Sequence, residues 1–203
     1  FREMVSDNST EIEKFWETDG NLAAYKSELG LDPKDLEGKK ILDVGSGTKE
    51  TFSKEAAEYG AEVYSVNPKL KHLKDREQLQ GWIPKDPEWQ KRSVAAKGEE
   101  LPFKDSSFDA ATALWSISLY LGQEEQLKAV QEIIRTLKPG GKLYMAPRGF
   151  SGARNMPIPN ESVLGKEALG WLKEHNHSIN EDEKGPIVIT KSSDERAGET
   201  RAN

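Results

Sequence analysis

The chain has 203 residues, of which 35% are hydrophobic and 32% charged, with a formal net charge of −6. This length predicts one domain with a single sizeable core, and the acidic balance gives no strong signal for nucleic-acid binding. The absence of cysteine excludes disulfides and thiolate metal sites in these residues. With no apolar run of membrane-spanning length, we expect a cytoplasmic protein that does not contact a membrane.

Residues 1–38 are predicted to form an N-terminal helical extension. The apolar positions of residues 9–28 have the spacing of an amphipathic helix. Residues 19–21, Asp-Gly-Asn, interrupt that spacing, so two shorter helices fit the pattern equally well. Residues 30–33 then end the segment as a loop.

Strands and helices alternate through residues 39–192, which we take as the main domain. Apolar runs predict strands at 39–44, 61–66, 93–96, 108–115 and 142–147, and helical spacing predicts helices at 49–59, 69–80, 123–137 and 162–175. Residues 176–180 and 186–191 are predicted to pair as a hairpin, with a polar tail at 193–203. The alternation favours a mostly parallel α/β sheet with helices on both faces, and the hairpin adds an antiparallel strand.

The first strand leads into a glycine-rich turn. Asp43 ends the apolar run, Gly45-Ser46-Gly47 follows, and the next residues have the pattern of a helix start. Glycine has no Cβ and tolerates positive φ, so the main chain of such a turn can approach a ligand closely. The pattern therefore indicates a nucleotide-type cofactor pocket at the carboxyl end of the first strand.

Three segments in register resemble the class I S-adenosylmethionine-dependent methyltransferases, specifically the type 11-like group. They are residues 41–48 (ILDVGSGT), 100–109 (ELPFKDSSFD) and 134–143 (IRTLKPGGKL). The resemblance covers residues 40–147. It implies a Rossmann-like three-layer sandwich with a mostly parallel seven-stranded sheet and a closing antiparallel hairpin strand. It also implies S-adenosyl-L-methionine as cofactor and methyl transfer to a small molecule or to an exposed group of a larger one.

The resemblance also indicates where the site residues lie. The cofactor-binding positions it implies are Asp43, Gly45, Ser46, Gly47, Asn67, Pro68, Lys97, Gly98, Glu99, Trp115 and Ser116. Loop and lid positions that could face a substrate are Tyr25, Tyr120, Arg148 and Arg154. No catalytic residue is assigned, because an in-line displacement needs alignment more than an obligatory acid or base. The three histidines lack convergent ligands, so no metal site is predicted.

Three positions depart from the family pattern. Lys49 stands at a third glycine, Asn67 at the acid that accepts from the ribose hydroxyls, and Lys97 at the acid that holds the adenine amino group. An amide oxygen accepts a weaker hydrogen bond than a carboxylate, and a lysine accepts none. These changes leave a second hypothesis open, a methyltransferase-like module that binds or scaffolds without cofactor. A nicotinamide-dinucleotide enzyme is a third hypothesis, which the Pro-Gly-Gly turn and the closing hairpin disfavour.

Overall fold

The structure, a computed structural model, describes residues 20–47, 49–70, 91–117, 121–146, 164–180 and 186–193. Seven strands form one sheet within these residues, in the order β3-β2-β1-β4-β5-β7-β6. The strands are β1 (Lys40–Val44), β2 (Glu62–Val66), β3 (Ser93–Val94), β4 (Phe108–Leu114), β5 (Leu137–Ala146), β6 (Ser178–Ile179) and β7 (Ile187–Thr190). The helices are α1 (Leu22–Leu29), the 3-10 turn Pro33–Leu36, α2 (Thr51–Ala57), α3 (Gln123–Thr136) and α4 (Lys166–Glu174).

The sheet confirms the predicted fold class. Strands β3, β2, β1, β4 and β5 are parallel to their neighbours, whereas β7 pairs antiparallel with both β5 and β6. The order reverses between β1 and β4, and in open α/β sheets the crevice at such a reversal is where ligands bind. No helix among the described residues is both long and apolar enough to span a bilayer.

Two apolar cores cover the two faces of the sheet. Helices α3 and α4 pack on one face against a cluster that includes Leu42 and Leu143. Helix α1 and helix α2 pack on the other face around Ile41 and Val63. The alternation of β1 therefore directs Leu42 and Val44 to the first core and Ile41 and Asp43 to the second.

The N-terminal break in helical spacing is a helix start in the structure. Asn21 caps α1, because its Oδ1 accepts a hydrogen bond from the Ala24 amide at 2.9 Å. Gly30 ends the helix in a left-handed conformation with φ +66°, and its amide donates to the carbonyl of Lys26. Of the helix predicted over 9–28, the structure describes the part from residue 20 onward, where α1 begins at Leu22. The first half of the predicted helix lies outside the described residues, as do residues 71–90 and the tail beyond 193.

Strand β5 begins at Leu137, five residues before the predicted start. Leu137 pairs with Phe108, and regular pairing resumes between Ala110 and Lys142 after an irregularity. The Lys-Pro-Gly-Gly sequence is thus an interruption within the strand rather than a turn ahead of it. Gly140, with φ +75°, provides the left-handed residue that the interruption needs.

Arg135, near the end of α3, connects two of the sequence segments that match the family. Its guanidinium donates to the carbonyl oxygens of Phe103 (2.8 Å) and Leu101 (3.1 Å) and to the carboxylates of Asp105 (2.6 Å) and Glu132 (2.9 Å). The hydrogen bonds that Arg135 donates to Glu132 and Asp105 raise its pKa further above its usual range. The planar fork of arginine suits this multiple recognition, so Arg135 fixes the loop before β4 on α3.

Candidate functional site

The carboxyl ends of β1, β2 and β4 meet directly. The amide of Gly45 donates to the carbonyl of Val66 at 2.8 Å, and the amide of Ser46 donates to the same oxygen at 3.3 Å. From the other side, Ser116 Oγ donates to the carbonyl of Val44 at 2.7 Å. The glycine turn is therefore held between the segments that follow β2 and β4, as the switch-point rule predicts.

Gly45 is required by this contact. Its φ is +82°, and a Cβ at this position would lie 2.2 Å from the Cβ of Ser116. Gly47 also has a positive φ, +74°. The glycine at 45 therefore allows Ser116 to approach, whereas the expectation from sequence was that it allows the ligand to approach.

Asp43 is fully buried at the end of β1 and is held by two hydroxyl groups. Tyr25 Oη and Thr112 Oγ1 each donate to Asp43 Oδ1 at 2.8 Å. Hydrogen bonds of this kind fix the orientation of the carboxyl group. The acid predicted to organise the glycine loop is thus rigidly placed behind that loop.

Tyr25 is packed in the interior of the protein, and its predicted contact with a substrate stays a prediction. Its ring lies parallel to the ring of Phe52 at a centroid distance of 3.8 Å, and only 2% of the residue is exposed. The phenol thus links α1 to the start of α2 and to Asp43. A direct contact between Tyr25 and a substrate would require α1 to move, so in this structure Tyr25 is a wall residue of the site.

Asn67 uses its side chain locally. Its Oδ1 accepts a hydrogen bond from the amide of Lys69 at 2.9 Å, which forms an Asx turn after β2. Pro68, within that turn, is exposed. If Asn67 accepts a hydrogen bond from a ribose hydroxyl, the same amide oxygen must also keep its bond to the Lys69 amide.

The segment after β3 reaches the end of β1. A Cβ on Gly98 would lie 3.2 Å from Val44 Cγ1 and 3.5 Å from the Cβ of Ala129. Gly98 therefore packs between β1 and α3, which brings its neighbours Lys97 and Glu99 to the same end of the sheet. Lys97 is exposed, as is Lys49, and Glu99 is half-buried.

Trp115 follows β4 in an unusual backbone conformation. Its φ is +50°, which is uncommon for a bulky residue, and its amide donates to the carbonyl of Ala146 at 2.9 Å. The residue is half-buried and packs against the core that contains α1 and α2. Backbone outliers of this kind cluster at functional sites, and the place of Trp115 at the cleft stays a prediction.

Three of the predicted substrate residues, Tyr120, Arg148 and Arg154, lie outside the described residues, and their roles stay predictions. The two described histidines have structural surroundings instead. His177 is buried and accepts a hydrogen bond from the amide of Ser192 at 3.1 Å, while His175 Nδ1 lies 2.8 Å from the carbonyl oxygen of Trp171. No cluster of potential metal ligands occurs in the part of the chain that the structure describes.

Glu50 is a buried residue of this site that was not predicted from the sequence. It falls within the helix predicted over 49–59, but it precedes α2 in a left-handed conformation and is only 1% exposed. Burial raises the pKa of Glu50 to about 7, while Ser93, Ser65 and Lys54 lower it and Asp43 raises it. One buried polar residue occurs in each of β1, β2 and β4, namely Asp43, Ser65 and Thr112, and Ser65 and Asp43 pair in register.

The strand order, the glycine turn after β1 and the reversal between β1 and β4 together define the class I methyltransferase fold. A model of the Methyltransferase domain family matches residues 42–145, just over half of the chain. The chain therefore belongs to this family of S-adenosylmethionine-dependent methyltransferases.

Curated relatives are methyltransferases of larger size. The chain is 30% identical over 141 residues to the O-methyltransferase cnsE of Penicillium expansum, covering 70% of this chain and 48% of that protein. It is 34% identical over 109 residues to the demethylmenaquinone methyltransferase of Renibacterium salmoninarum, covering 54% and 41% respectively. The chain thus spans less than half the length of these relatives.

Solved structures share the fold at low identity. The 1,6-didemethyltoxoflavin-N1-methyltransferase of Burkholderia thailandensis, solved with S-adenosylhomocysteine and 1,6-didemethyltoxoflavin, has a TM-score of 0.53 at 16% identity, covering 94% of this chain and 87% of that one. A methyltransferase of Methanosarcina mazei has a TM-score of 0.52 at 18% identity, covering 87% and 100%.

Proposed function

We propose that this chain binds S-adenosylmethionine at the carboxyl ends of β1, β2 and β4 and transfers its methyl group to a small molecule. The observation on which the proposal depends is the held glycine turn, in which Gly45 and Gly47 both have positive φ above the buried Asp43. Family membership supports the cofactor, and the printed activities of the relatives support a small-molecule acceptor.

The residues at the site fit the cofactor through the main chain more than through side chains. The turn at Gly45, Ser46 and Gly47 lies where the switch point predicts a ligand. The two lysines that replace family residues are both exposed, so each is on the solvent side of the chain. Binding by this chain would therefore depend on backbone amides and on the fixed carboxylate of Asp43.

Bound there, the cofactor supplies an electrophilic methyl group. The contribution of the protein is alignment and exclusion of water. Tyr25 and Thr112 hold Asp43, while Ser116 holds the turn against the segment after β4. In this proposal Trp115, half-buried at the same end of β4, would help to exclude water.

A second candidate function is a binding module without cofactor. Two observations favour it: the Asn67 amide oxygen is already used by the Lys69 amide, and Lys97 has no acceptor atom for an amino group. A charge-assisted hydrogen bond contributes about 1.5–3 kcal/mol, so the loss of two would weaken binding by about 100-fold or more.

Calorimetric titration with S-adenosylmethionine and S-adenosylhomocysteine separates the two functions. We expect micromolar binding by the wild-type protein and none by Gly47→Val, because valine disfavours a φ of +74° and would place its side chain in the turn. Gly30→Val is the matched control: its φ is +66° and a Cβ there meets nothing within 4 Å.

The control should bind as the wild type does, with a comparable loss of thermal stability. Absence of binding by the wild type at millimolar ligand would favour the module. Unchanged affinity in Gly47→Val would show that the glycine turn is not the pocket.

A further inference from the structure

An acidic residue in the protein interior joins the glycine turn to the edge of the sheet. Glu50 follows the turn and precedes α2, with φ +51° and ψ +42°. A non-glycine residue keeps this conformation only where its surroundings require it. Glu50 caps no amide of α2 with its side chain, so the carboxyl group serves a different contact.

The Glu50 carboxyl group contacts β3. Ser93 Oγ lies 2.9 Å from Glu50 Oε1 and 3.0 Å from Oε2. The Ser65 hydroxyl is near enough to lower the pKa of the same carboxyl. Its Oγ is nevertheless buried and completes no hydrogen bond of ordinary geometry within the described residues. The carboxyl therefore lies over two neighbouring strands, with one buried hydroxyl still able to bond.

Register places these groups in one line across the sheet. Asp43 of β1 pairs with Ser65 of β2, Ser65 pairs with Ser93 of β3, and Thr112 of β4 pairs with Asp43. In-register partners in parallel strands project to the same face. These four residues, the polar row, lie on the face that α1 and α2 cover.

Two carboxyl groups lie on this buried face: Asp43 within the polar row and Glu50, which contacts Ser93 of the row. Asp43 accepts hydrogen bonds from Tyr25 and Thr112. Burial, and to a smaller extent the charge of Asp43, raise the pKa of Glu50 to about 7. The hydroxyls of Ser93 and Ser65 and the nearby Lys54 lower this pKa, but their effect is smaller. Arg92, which precedes Ser93 in the chain, is the other charged residue at this strand.

We propose that Glu50 is a positioning residue that fixes the end of the glycine turn against β3 through Ser93 and Ser65. The carboxyl does so in its neutral form: its proton is donated to the unbonded Ser65 Oγ while the Ser93 hydroxyl donates to its carbonyl oxygen. Ionisation leaves the Ser65 and Ser93 hydroxyls as donors to the carboxylate, but it places a second negative charge beside Asp43 in a buried site. The turn then loosens, and cofactor affinity falls as the pH rises through neutrality.

The effect on affinity rests on the proposed function, so the test has two readouts. The first is the dissociation constant of S-adenosylhomocysteine by calorimetry between about pH 6 and about pH 9. The second is the thermal unfolding of the unliganded protein over the same range. The variants are Glu50→Gln, which keeps shape and a donor but cannot ionise, Glu50→Ala, and the exposed control Glu58→Gln at the end of α2.

We expect wild type and Glu58→Gln to lose affinity by about tenfold across this range. Glu50→Gln should bind at every pH as the wild type does near pH 6, and Glu50→Ala should bind weakly throughout. A pH dependence of Glu50→Gln equal to that of the wild type would overturn the proposal.

If no ligand binds to the wild type, the proposed function fails and the unliganded readout decides. Wild type should then lose thermal stability relative to Glu50→Gln as the pH rises through about 7. If the unfolding midpoints of the wild type and Glu50→Gln changed with pH in the same way, Glu50 would not fix the turn in its neutral form.

Discussion

At the scale of the residue, Gly45 shows how a loop can be shaped by the protein itself. We expect Gly45→Ala to lower the free energy of unfolding by about 2–4 kcal/mol, because a left-handed backbone and an overlap with Ser116 combine. The Cβ of Ser116 would lie only 2.2 Å from the new methyl group. Urea denaturation measures the loss.

The double variant Gly45→Ala/Ser116→Gly tests the cause. It removes the overlap but keeps the backbone strain, and it also loses the hydrogen bond of Ser116 to Val44. We expect part of the stability to return. If the losses of stability in the two single variants simply add up in the double variant, the two residues act independently, and the overlap is not the cause.

At the scale of the element, α3 and the loop before β4 form one unit through Arg135. Arg135→Lys keeps the charge but cannot reach the carbonyls of Leu101 and Phe103 together with two carboxylates. We expect the free energy of unfolding to fall by about 1–3 kcal/mol. Lys128→Ala on the same helix removes only an exposed ion pair with Glu124 and should leave the unfolding midpoint unchanged.

Equal effects of the two substitutions would contradict this assignment.

The element scale is also where the sequence was most informative. Alternating apolar runs and helices, with glycines at the ends, predicted all seven strands within a few residues, because burial on both faces demands continuous apolar segments. The start of β5 was predicted too late, because Pro-Gly-Gly in a sequence normally indicates a turn rather than an interruption within a strand.

The site was harder to predict than the fold, and Glu50 shows why. A glutamate at a helix start favours an exposed position. Its burial depends on Ser65 and Ser93, which approach it only when the sheet is assembled. Likewise, the sequence shows an asparagine at position 67 but not that its oxygen is used by a turn. Register and side-chain pairing are tertiary facts that local patterns do not contain.

At the scale of the whole molecule, Glu50 and His177 give stability opposite dependences on pH. Glu50 has its pKa raised from 4.5 to about 7 by burial, so its stabilising effect is complete below 4.5 and lost as the pH rises through 7. Burial, with His175 and Lys191 nearby, lowers the pKa of His177 from 6.5 to about 4. Its stabilising effect is complete above 6.5 and lost as the pH falls through 4.

These two contributions oppose each other between pH 4.5 and 6.5. Each amounts to at most about 1.4 kcal/mol per pH unit. We expect Glu50→Gln to lose stability on acidification through this range and His177→Gln to gain it, with the wild type between them. Urea denaturation at several pH values measures this. Identical slopes in all three proteins would contradict the two pKa shifts.

Strand β7 pairs with β5 and β6, and just after it the amine of Lys191 donates to the carbonyl oxygens of Leu137 (2.6 Å) and Arg135 (3.2 Å). Those oxygens lie at the end of α3, more than fifty residues earlier in the chain. While the chain emerges from the ribosome, β5 is therefore an unprotected edge with apolar side chains. Co-translational folding cannot complete this side of the sheet until the hairpin has left the exit tunnel.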